Sequence, residues 1–427
     1  MLDIQLIRKD PEGVAAKLKK RGFDVDFSSL LDNDRQRRQL ITESERLKAE
    51  RNKTSALVPQ MKKKGEDTTA ILAEMKTVAD KIKGLEEELA LLEDRQIEFV
   101  AGLPNLPADD VVAGGKEANA VVRTFSEVPV FDFEPKHHVD IAEELGVIDY
   151  TRGAKLGGSG FWVYRNQGAQ IEWALLNYFV QEHLKDGYEM MFVPHILNYD
   201  CGFTAGQFPK FNDDVYWLEN DNGEATHFLL PTAETALVNM HRGEILDESV
   251  FPLKYFAYTP CYRKEAGSYR AEERGMIRGH QFNKIEMFQY ALPEQSDAAL
   301  EELVNKACAL VEGLGLHYRL SKLAAGDVSA SMATTYDIEV WIPSMNDYKE
   351  VSSASNAKEY QARRGNIRYR KQSDNKTEFV HTLNASGLAT SRILPAIMEQ
   401  FQEADGRVRI PDVLRPFMGG RTHLERE

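Results

Sequence analysis

The stretch CYRKEAGSYRAEERGMIRGHQFNKIEMF, residues 261–288, decides which fold we expect. Two alternating segments flank a loop that is crowded with charged residues. Strand periodicity places Arg263 and Glu265 on one face of the first segment. In the second segment it places Lys284 and Glu286 on one face, together with an aromatic residue. Because charge is costly to bury without a partner, such a hairpin is a poor core element, and we expect it to bind a charged ligand.

The composition is that of an ordinary globular protein, with 427 residues of which 42% are hydrophobic and 28% charged. A chain of this length is expected to form two domains. No apolar run approaches the roughly 20 residues of a membrane span, so we expect no membrane partner. The formal net charge of −14 argues against non-specific binding to DNA.

The three cysteines and the N-terminal sequence bear on the cellular compartment. Cys201, Cys261 and Cys308 are too few and too scattered for a disulfide framework or a zinc site. The first residues, MLDIQLIRKDPEG, lack the basic and then apolar layout of a signal peptide. We therefore expect a cytoplasmic protein.

A long helical hairpin is predicted between about residues 28 and 100. Apolar residues of its second half recur at alternating spacings of four and three, which is typical of a coiled-coil seam. The seam consists of Ile71, Met75, Val78, Ile82, Leu85, Leu89 and Leu92. The first half carries a weaker version, and KKKGEDTT between the halves is typical of a turn. Two helices joined in this way run antiparallel, so we expect an arm about 45–50 Å long.

The two predicted helices carry opposite charge. From Asp34 to Lys64 there are 10 basic and 4 acidic residues, and from Glu66 to Glu98 there are 4 basic and 10 acidic residues. The two helices could simply complement each other. Alternatively, the first helix could offer a basic rail to a polyanion. The basic rail consists of Arg35, Arg37, Arg38, Arg46, Lys48, Arg51 and Lys53.

After the linker GLPNLPADDVVAGGKEAN, predicted strands alternate with amphipathic helices. We expect helices in GAQIEWALLNYFVQEHLKDG, in SDAALEELVNKACALVEGLGL with Ser296 as its cap, and in ATSRILPAIMEQFQ. HFLLPTAETALVNMHRGEIL is typical of a strand, a turn and a helix. Strands are expected in YEMMFVPHIL, TTYDIEVWIP, KEVSSAS and EFVHTLNAS, and His137 and His138 are expected in a loop. Few βαβ units are visible, which predicts an α+β fold with an antiparallel sheet flanked by helices.

Several of these segments resemble the motifs of class II aminoacyl-tRNA synthetases. YTPCYRKE with RGHQFNKIEMF is similar to motif 2, NASGLATSRILPAIMEQFQ to motif 3, and Pro194 fits motif 1. The tripeptide Thr232-Ala233-Glu234 and the stretch EVSSASNAKEYQARRGNIRYR narrow the resemblance to seryl-tRNA synthetases of bacterial type. The resemblance runs nearly end to end. It implies a tRNA-binding domain with a helical arm over residues 1–105 and a class II catalytic domain over residues 106–427.

The resemblance also implies site residues that the residue types alone leave open. Without it, Arg263 and Glu265 could form a surface ion pair that contributes little to stability. Asn384 and Ser386 could likewise be caps at the turn into the last helix. The implied serine site consists of Thr232, Ala233, Glu234, Arg263, Glu286, Asn384 and Ser386. The implied ATP site consists of Arg263, Lys264, Glu265, Phe282, Glu350, Val351, Ser352, Ser353 and Arg392.

Specific roles follow from the same resemblance. Arg263, Glu265 and Arg392 are the implied catalytic residues, with Arg263 at the α-phosphate and Arg392 toward the γ-phosphate. The implied role of Phe282 is to stack on the adenine. Glu350 and Ser353 are the implied protein ligands of Mg²⁺, which prefers oxygen ligands and keeps several waters.

The implied reaction has two steps. The carboxylate of L-serine attacks the α-phosphorus of ATP, and a terminal hydroxyl of tRNA then attacks the seryl-adenylate. Because the serine carboxylate is already ionised at neutral pH, the first step needs no general base. The resemblance further implies a homodimer whose arm grips the long variable arm of tRNA(Ser), and also tRNA(Sec).

Two alternative functions are open to the same residues. The first is a related enzyme that passes serine to another acceptor, or a duplicate that protects a producer of seryl-nucleotide toxins. The second is a catalytically inactive paralogue that senses tRNA. The loop AGSYRAEERG departs from the family pattern, because Glu272 and Glu273 put negative charge where the nucleotide and the acceptor stem should pass.

Overall fold

The structure is a computed structural model, and it describes residues 1–265 and 275–426. The acidic loop residues Glu272 and Glu273 lie outside the described residues. The chain divides into two compact units. The smaller unit consists of Leu2–Lys19 and Phe23–Pro104, and the larger consists of Met1, Lys20–Gly22 and the chain from Asn105 onward. The functions assigned to residues 1–105 and 106–427 stay predictions.

The smaller unit contains the predicted helical arm. Its helices are α1 (Ile4–Lys9), α2 (Pro11–Lys19), α3 (Ser28–Lys63) and α4 (Thr69–Gly102). With 36 and 34 residues, α3 and α4 are each about 50 Å long. Phe27, just before α3, lies 6.3 Å from Phe99 near the end of α4, measured between ring centroids, so the two helices run antiparallel.

The predicted seam of α4 is confirmed by the burial of its side chains. Ile82 and Leu92 are buried, and the other five seam residues are half-buried. The turn contains Gly65 at φ +74°, a left-handed conformation that glycine adopts without steric cost. Asp67 Oδ1 accepts a hydrogen bond of 2.9 Å from the backbone N–H of Thr69 at the start of α4. Local sequence therefore determines both the seam and the turn.

The larger unit is built from strands and shorter helices. Its strands are β1 (Ala120–Phe125), β2 (Ile148–Asp149), β3 (Val163–Tyr164), β4 (Glu189–Met191), β5 (Ile196–Asn198), β6 (Trp217–Glu219), β7 (Ala225–Leu229), β8 (Ile245–Asp247), β9 (Leu253–Tyr262), β10 (Gln281–Ala291), β11 (Tyr318–Lys322), β12 (Thr334–Ile342), β13 (Asp347–Lys358), β14 (Arg368–Arg370), β15 (Thr377–Phe379), β16 (His381–Ala389), β17 (Val408–Arg409) and β18 (His423–Leu424). Its helices are α5 (His138–Leu145), α6 (Tyr150–Gly157), α7 (Gln167–Lys185), α8 (Tyr199–Ala205), α9 (Glu234–Leu237), α10 (Ser296–Gly313), α11 (Tyr360–Gly365) and α12 (Thr390–Gln400).

The central sheet has eight strands in the order β1-β11-β12-β13-β16-β10-β9-β4 among the described residues. All neighbouring strands are antiparallel except β4 and β9. Residues of α7, α10 and α12 share the main hydrophobic core with this sheet. On β10, Ile285 and Met287 point into that core, so the alternating side chains of Lys284 and Glu286 point to the opposite face. The predicted α+β architecture is confirmed.

Several predicted local details are wrong. YEMMFVPHIL forms two short strands, β4 and β5, which belong to different sheets. EFVHTLNAS likewise contains parts of β15 and β16, which belong to different sheets. Ser296 is the first residue of α10 rather than its cap, and its hydroxyl donates to the carbonyl of Pro293 at 3.2 Å. The helix expected after Thr232 is only the four residues of α9. His138 begins α5 instead of lying in a loop, and its buried ring contacts the Glu399 carboxylate at 2.6 Å.

No helix of the described ranges has both the length and the apolar composition that are needed to cross a membrane.

Candidate active site

A cavity of about 490 Å³ is lined by residues of β10, β13 and β16 and by residues just beyond β9, and its volume is within the usual range for a small-molecule site. The structure brings most of the predicted site residues together in it. Nine of them line the cavity: Thr232, Glu234, Arg263, Glu265, Glu286, Glu350, Ser353, Asn384 and Ser386.

Glu286 lines the cavity and is almost fully buried. One of its carboxylate oxygens accepts a hydrogen bond of 2.9 Å from the Asn384 side-chain amide. The other oxygen contacts the Lys284 ammonium group and accepts from the Thr232 and Ser386 hydroxyls, each at 3.4 Å. These polar contacts explain how a carboxylate that is 1% exposed can be accommodated.

Strand pairing explains this convergence. Glu286 lies directly opposite Ser386 in the pairing of β10 with β16, and Asn384 lies two residues from Ser386 on the same face. Asn384 and Ser386 therefore lie inside a central strand, and the prediction that they sit at the turn into the last helix is wrong. Thr232 does have a capping contact, because its hydroxyl accepts from the backbone N–H of Glu234 at 3.3 Å.

Glu234 is a second carboxylate that lines the cavity, and its side chain is half-buried. Its oxygens accept hydrogen bonds from the amides of Gln361 at 2.7 Å and Asn384 at 3.3 Å. Burial, together with the nearby Glu286 carboxylate, raises the pKa of Glu234 to about 7. Lys284 lies close to Glu286, whereas the two recorded hydrogen-bond partners of Glu234 are neutral amides. The part of the cavity around Glu234 therefore favours a small ligand that carries a positive charge.

Arg263 and Glu265 lie just beyond the end of β9, so the prediction that both lie on a strand is wrong. The backbone N–H of Arg263 donates to the carbonyl of His280 at 2.9 Å, and its side-chain Nε donates to the carbonyl of Pro231 at 3.2 Å. Its guanidinium lies 5.3 Å from the centroid of the Phe282 ring. Glu265, at φ +50°, forms an ion pair of 2.6 Å with Arg278. These residues present two guanidinium groups, those of Arg263 and Arg278, to the cavity.

Glu350 and Ser353 face the cavity together because β13 has an irregularity between them. Ile338 pairs with Ser352 and Glu339 pairs with Glu350, so Val351 is left without a partner on β12. Such a bulge changes the alternation of side chains and allows residues three apart to share a face. Ser353 donates a hydrogen bond of 2.5 Å to Asp337, and burial together with Glu350 raises the pKa of that carboxyl well above its usual range.

Arg392 lies at the start of α12, beside Glu350. Its Nη1 donates to the Glu350 carbonyl at 2.6 Å and lies 3.6 Å from the Glu350 carboxylate. Its Nε donates to the carbonyl of Ile277 at 3.3 Å. Arg392 is thus next to the cavity without lining it.

The remaining predicted residues also lie outside the cavity lining. Ala233, Val351 and Ser352 are buried, and the Ser352 hydroxyl donates to the carbonyl of Ser386 at 2.7 Å. The backbone N–H of Lys264 donates to the carbonyl of Asp214 at 2.9 Å. Phe282 is half-buried and packs against Arg263. Their direct roles in ligand binding stay predictions.

Several cavity residues were not assigned from the sequence, and three residues that contact the predicted ones stand out, Lys284, Arg278 and Gln361. Lys284 donates to the Thr232 hydroxyl at 2.7 Å as well as contacting Glu286. Its place on the same strand face as Glu286 was a signal that could have revealed it. Arg278 pairs with Glu265 from the other side of the same hairpin and begins the motif 2 stretch RGHQFNKIEMF, which was a signal for it. Gln361 binds Glu234 from a distant part of the chain, and no local pattern indicates it.

Comparison with known proteins identifies the family. A model of the seryl-tRNA synthetase N-terminal domain matches residues 1–107, and one of the class II tRNA synthetase core domain (G, H, P, S and T) matches residues 216–401. The chain is 60% identical over 421 residues to serine--tRNA ligase 2 of Clostridium acetobutylicum, covering 98% of this chain and 99% of that protein. The chain belongs to the seryl-tRNA synthetase family.

Solved structures of other seryl-tRNA synthetases share this fold. The enzyme of Pyrococcus horikoshii, solved in complex with ATP, is 34% identical with a TM-score of 0.92, and each chain is covered completely. The cytoplasmic enzyme of Naegleria fowleri, solved with AMP, is 27% identical with a TM-score of 0.87, covering 100% of this chain and 99% of that one. The predicted class II fold with an N-terminal helical arm is therefore confirmed.

In this member of the seryl-tRNA synthetase family, the basic rail on α3 is partly paired with acidic residues. Arg37 and Lys48 reach across to Glu93 and Glu86 of α4, each at 2.7 Å, which supports complementarity between the helices.

The other rail residues differ in their pairing. Arg35, Arg38 and Arg46 pair with acidic residues of α3 itself. Arg51 and Lys53 have no ion pair recorded among the described residues. Exposed ion pairs are worth at most about 1 kcal/mol, so the paired members could exchange their partners for phosphates.

Proposed function

We propose that this member of the seryl-tRNA synthetase family activates L-serine with ATP and transfers the serine to the 3′ end of tRNA(Ser). The observation that carries the proposal is the polarity of one cavity. The carboxylates of Glu234 and Glu286 and several small polar groups line it, together with two guanidinium groups, those of Arg263 and Arg278. Such a cavity suits a small zwitterion placed beside a polyphosphate.

The proposed serine site follows from the charges around the two carboxylates. Glu234, which has amide partners, would bind the serine ammonium group. Glu286 already contacts the Lys284 ammonium, and it would accept a hydrogen bond from the serine hydroxyl. The Thr232, Asn384 and Ser386 side chains would surround the same hydroxyl. Alanine would leave these buried polar groups without a partner, and a site of this kind discriminates strongly against such an analogue.

The proposed ATP site lies toward the arginines. Phe282 would stack on the adenine, Arg263 would bridge the serine carboxylate and the α-phosphate, and Arg392 would approach the γ-phosphate. A guanidinium group suits these tasks because it stays charged and can donate two parallel hydrogen bonds. Glu265 would orient the nucleotide and the Arg278 guanidinium.

Mg²⁺ is the proposed cofactor, and the donors beside Arg392 fit it. The Glu350 carboxylate and the Ser353 hydroxyl both line the cavity, and Asp337 adds a further carboxylate next to Ser353. Hard oxygen donors of this kind, completed by phosphates and water, are what Mg²⁺ prefers. When bound, the ion would supply positive charge to the phosphates.

The first step of the proposed chemistry, adenylate formation, needs no general base. The ionised serine carboxylate forms a bond to the α-phosphorus, the bond to the bridging oxygen breaks, and pyrophosphate leaves. A hydroxyl of the terminal tRNA adenosine then attacks the carbonyl carbon of the adenylate, the bond between that carbon and the phosphate oxygen breaks, and AMP leaves with the hydroxyl proton transferred to its phosphate. The protein would act by holding the reactants in line and by placing Arg263 where charge develops.

The arm is the proposed binding site for the tRNA backbone. The rail of α3 offers seven basic side chains, and recognition of RNA by shape and phosphates needs no base contacts. We propose that the arm grips the long variable arm of tRNA(Ser), and that DNA is not a partner.

We also propose that the chain works as a homodimer in the cytoplasm. Around Pro194, the side chains of Phe192 and Ile196 are 81% and 54% exposed, and exposed apolar groups of this kind often mark an interface. The three free cysteines support a reducing compartment. Sedimentation of the purified protein tests the dimer directly.

Pyrophosphate exchange tests the proposed activity. The purified protein should catalyse exchange between ATP and labelled pyrophosphate with serine, and with alanine, threonine, cysteine and glycine only weakly. It should also charge purified tRNA(Ser). Exchange without charging would favour an enzyme with another acceptor. No exchange by well-folded protein would favour an inactive tRNA-binding paralogue.

A further inference from the structure

Glu172 lies on α7, outside the residues that line the cavity, and it is 4% exposed. Its Oε1 accepts two short hydrogen bonds, from the Asn283 side-chain amide at 2.7 Å and from the Thr390 hydroxyl at 2.6 Å. The Thr390 hydroxyl also lies 3.2 Å from the carbonyl of Asn283. One carboxylate oxygen therefore joins three elements of the larger unit, α7, β10 and α12.

The two partners of Glu172 are neighbours of proposed site residues. Asn283 lies between Phe282 and Lys284 on β10, and Thr390 lies two residues before Arg392 on α12. Asn283 is held on its other side by the Tyr258 hydroxyl of β9, which donates to its Oδ1 at 3.0 Å. Glu172 thus contacts both β10, beside Lys284, and the start of α12, the helix that carries Arg392.

The surroundings of Glu172 allow its carboxyl group to accept hydrogen bonds whether or not the group is ionised. Burial raises the pKa of Glu172 to about 7, although the hydrogen bonds from Thr390 and Asn283 favour its ionised form. The titratable groups that face it are the phenols of Tyr164 on β3 and Tyr258 on β9, and no cation of the described chain is recorded in an ion pair with it. Its Oε2 and the Tyr164 hydroxyl are both shielded from solvent without a hydrogen-bond partner in the described residues.

We propose that Glu172 is a positioning residue for adenylate formation, which acts by holding β10 and the start of α12 in one arrangement through its Oε1. The inference rests on the proposed function, since adenylate formation is its readout. A carboxyl oxygen accepts hydrogen bonds in the neutral and in the ionised form, so the geometry is kept on either side of pH 7. A misplacement of reacting groups by about 1 Å can lower the rate about 100-fold, so a contact outside the cavity can still affect adenylate formation.

The test compares Glu172→Gln with Glu172→Leu by serine-dependent pyrophosphate exchange. Glutamine keeps an acceptor oxygen at the same distance from the backbone and adds an N–H group that can donate to the Tyr164 hydroxyl. We expect Glu172→Gln to keep kcat within about threefold of the wild type and to leave the pH profile unchanged. We expect Glu172→Leu to lower kcat about 100-fold, with a smaller change in the KM values for serine and ATP.

A second pair of variants keeps the inference testable if Glu172→Leu does not fold. Asn283→Ala and Thr390→Val each remove one donor to Oε1, and each should lower kcat. If both act through Glu172, the double variant should lose less than the product of the two single losses. Wild-type kcat in folded Glu172→Leu, or in both donor variants, would overturn the inference, as would an equal loss in Glu172→Gln and Glu172→Leu. The wild-type measurement separately tests the proposed function.

Discussion

The ammonium group of Lys284 lies against the carboxylate of Glu286, and their side chains are only 8% and 1% exposed. A buried ion pair is costly to break from one side, because the remaining charge is left without its partner. This pair leaves Glu234 as the carboxylate of the proposed serine site with neutral hydrogen-bond partners. The division of roles between the two carboxylates in our proposal depends on this contact.

Replacing Lys284 by methionine should therefore weaken serine activation. Lys284→Met keeps the length of the side chain but leaves the Glu286 carboxylate buried without its cation. We expect kcat/KM for serine in pyrophosphate exchange to fall about 100-fold, which corresponds to about 2.7 kcal/mol. Lys284→Arg, which keeps the charge, should lose less. A Lys284→Met enzyme with unchanged kcat/KM would show that the ion pair has no part in serine binding.

Serine binding should depend on pH through Glu234. The raised pKa of about 7 means that the carboxylate becomes neutral as the pH falls through this value, and the neutral form no longer attracts an ammonium group. The KM for serine should therefore rise about tenfold per unit below pH 7, and level off above it. Glu234→Gln should have a higher KM without this dependence. The same slope in Glu234→Gln would assign the titration to another group.

Arg263→Ala should abolish adenylate formation. The guanidinium is the proposed contact to both the serine carboxylate and the α-phosphate, and loss of one such electrostatic contact typically costs about 100- to 1,000-fold in kcat. Arg263→Lys keeps the charge but loses the forked geometry, so it should recover only part of the activity. Thermal unfolding of both variants checks that the fold is intact. Exchange at the wild-type rate in Arg263→Ala would remove this assignment.

The arm should contribute to tRNA charging but not to adenylation. Arg51 and Lys53 are basic rail residues that form no ion pair within the described chain. The double variant with Arg51→Glu and Lys53→Glu should therefore bind tRNA more weakly. The slope of the logarithm of its binding constant against the logarithm of the salt concentration should fall by about one for each replaced residue. Lys83→Glu on the opposite helix, where the lysine side chain is 77% exposed, is the matched control. Serine-dependent exchange should be unchanged in both the double variant and the control. Equal loss of exchange and charging would indicate a structural role.

Local periodicity was sufficient for the arm and for part of the site. The spacing of Ile82 and Leu92 predicts their burial, because residues on one helical face recur at fixed intervals whatever surrounds them. The period of two likewise placed Lys284 and Glu286 on one face of β10. The roles of individual residues, in contrast, were assigned only through the resemblance to a family.

Properties that depend on distant parts of the chain could not be predicted. The bulge at Val351, which turns Glu350 and Ser353 to the same face, depends on how β13 pairs with β12. The placement of Asn384 inside a central strand depends on its neighbours β10 and β13. The raised pKa of Glu234 requires burial beside Glu286, which lies 52 residues further along the chain.

The sequence by itself determined the helical arm, the charge difference between its helices and the charged hairpin, because these follow from side chains that are near each other in the chain. The tertiary structure alone decided which charges meet. It brought Lys284 and Glu286 together with Asn384, and it placed Glu172 between β10 and α12. The physical reason is that strand pairing and burial are set by contacts between distant segments, and these contacts determine both geometry and pKa.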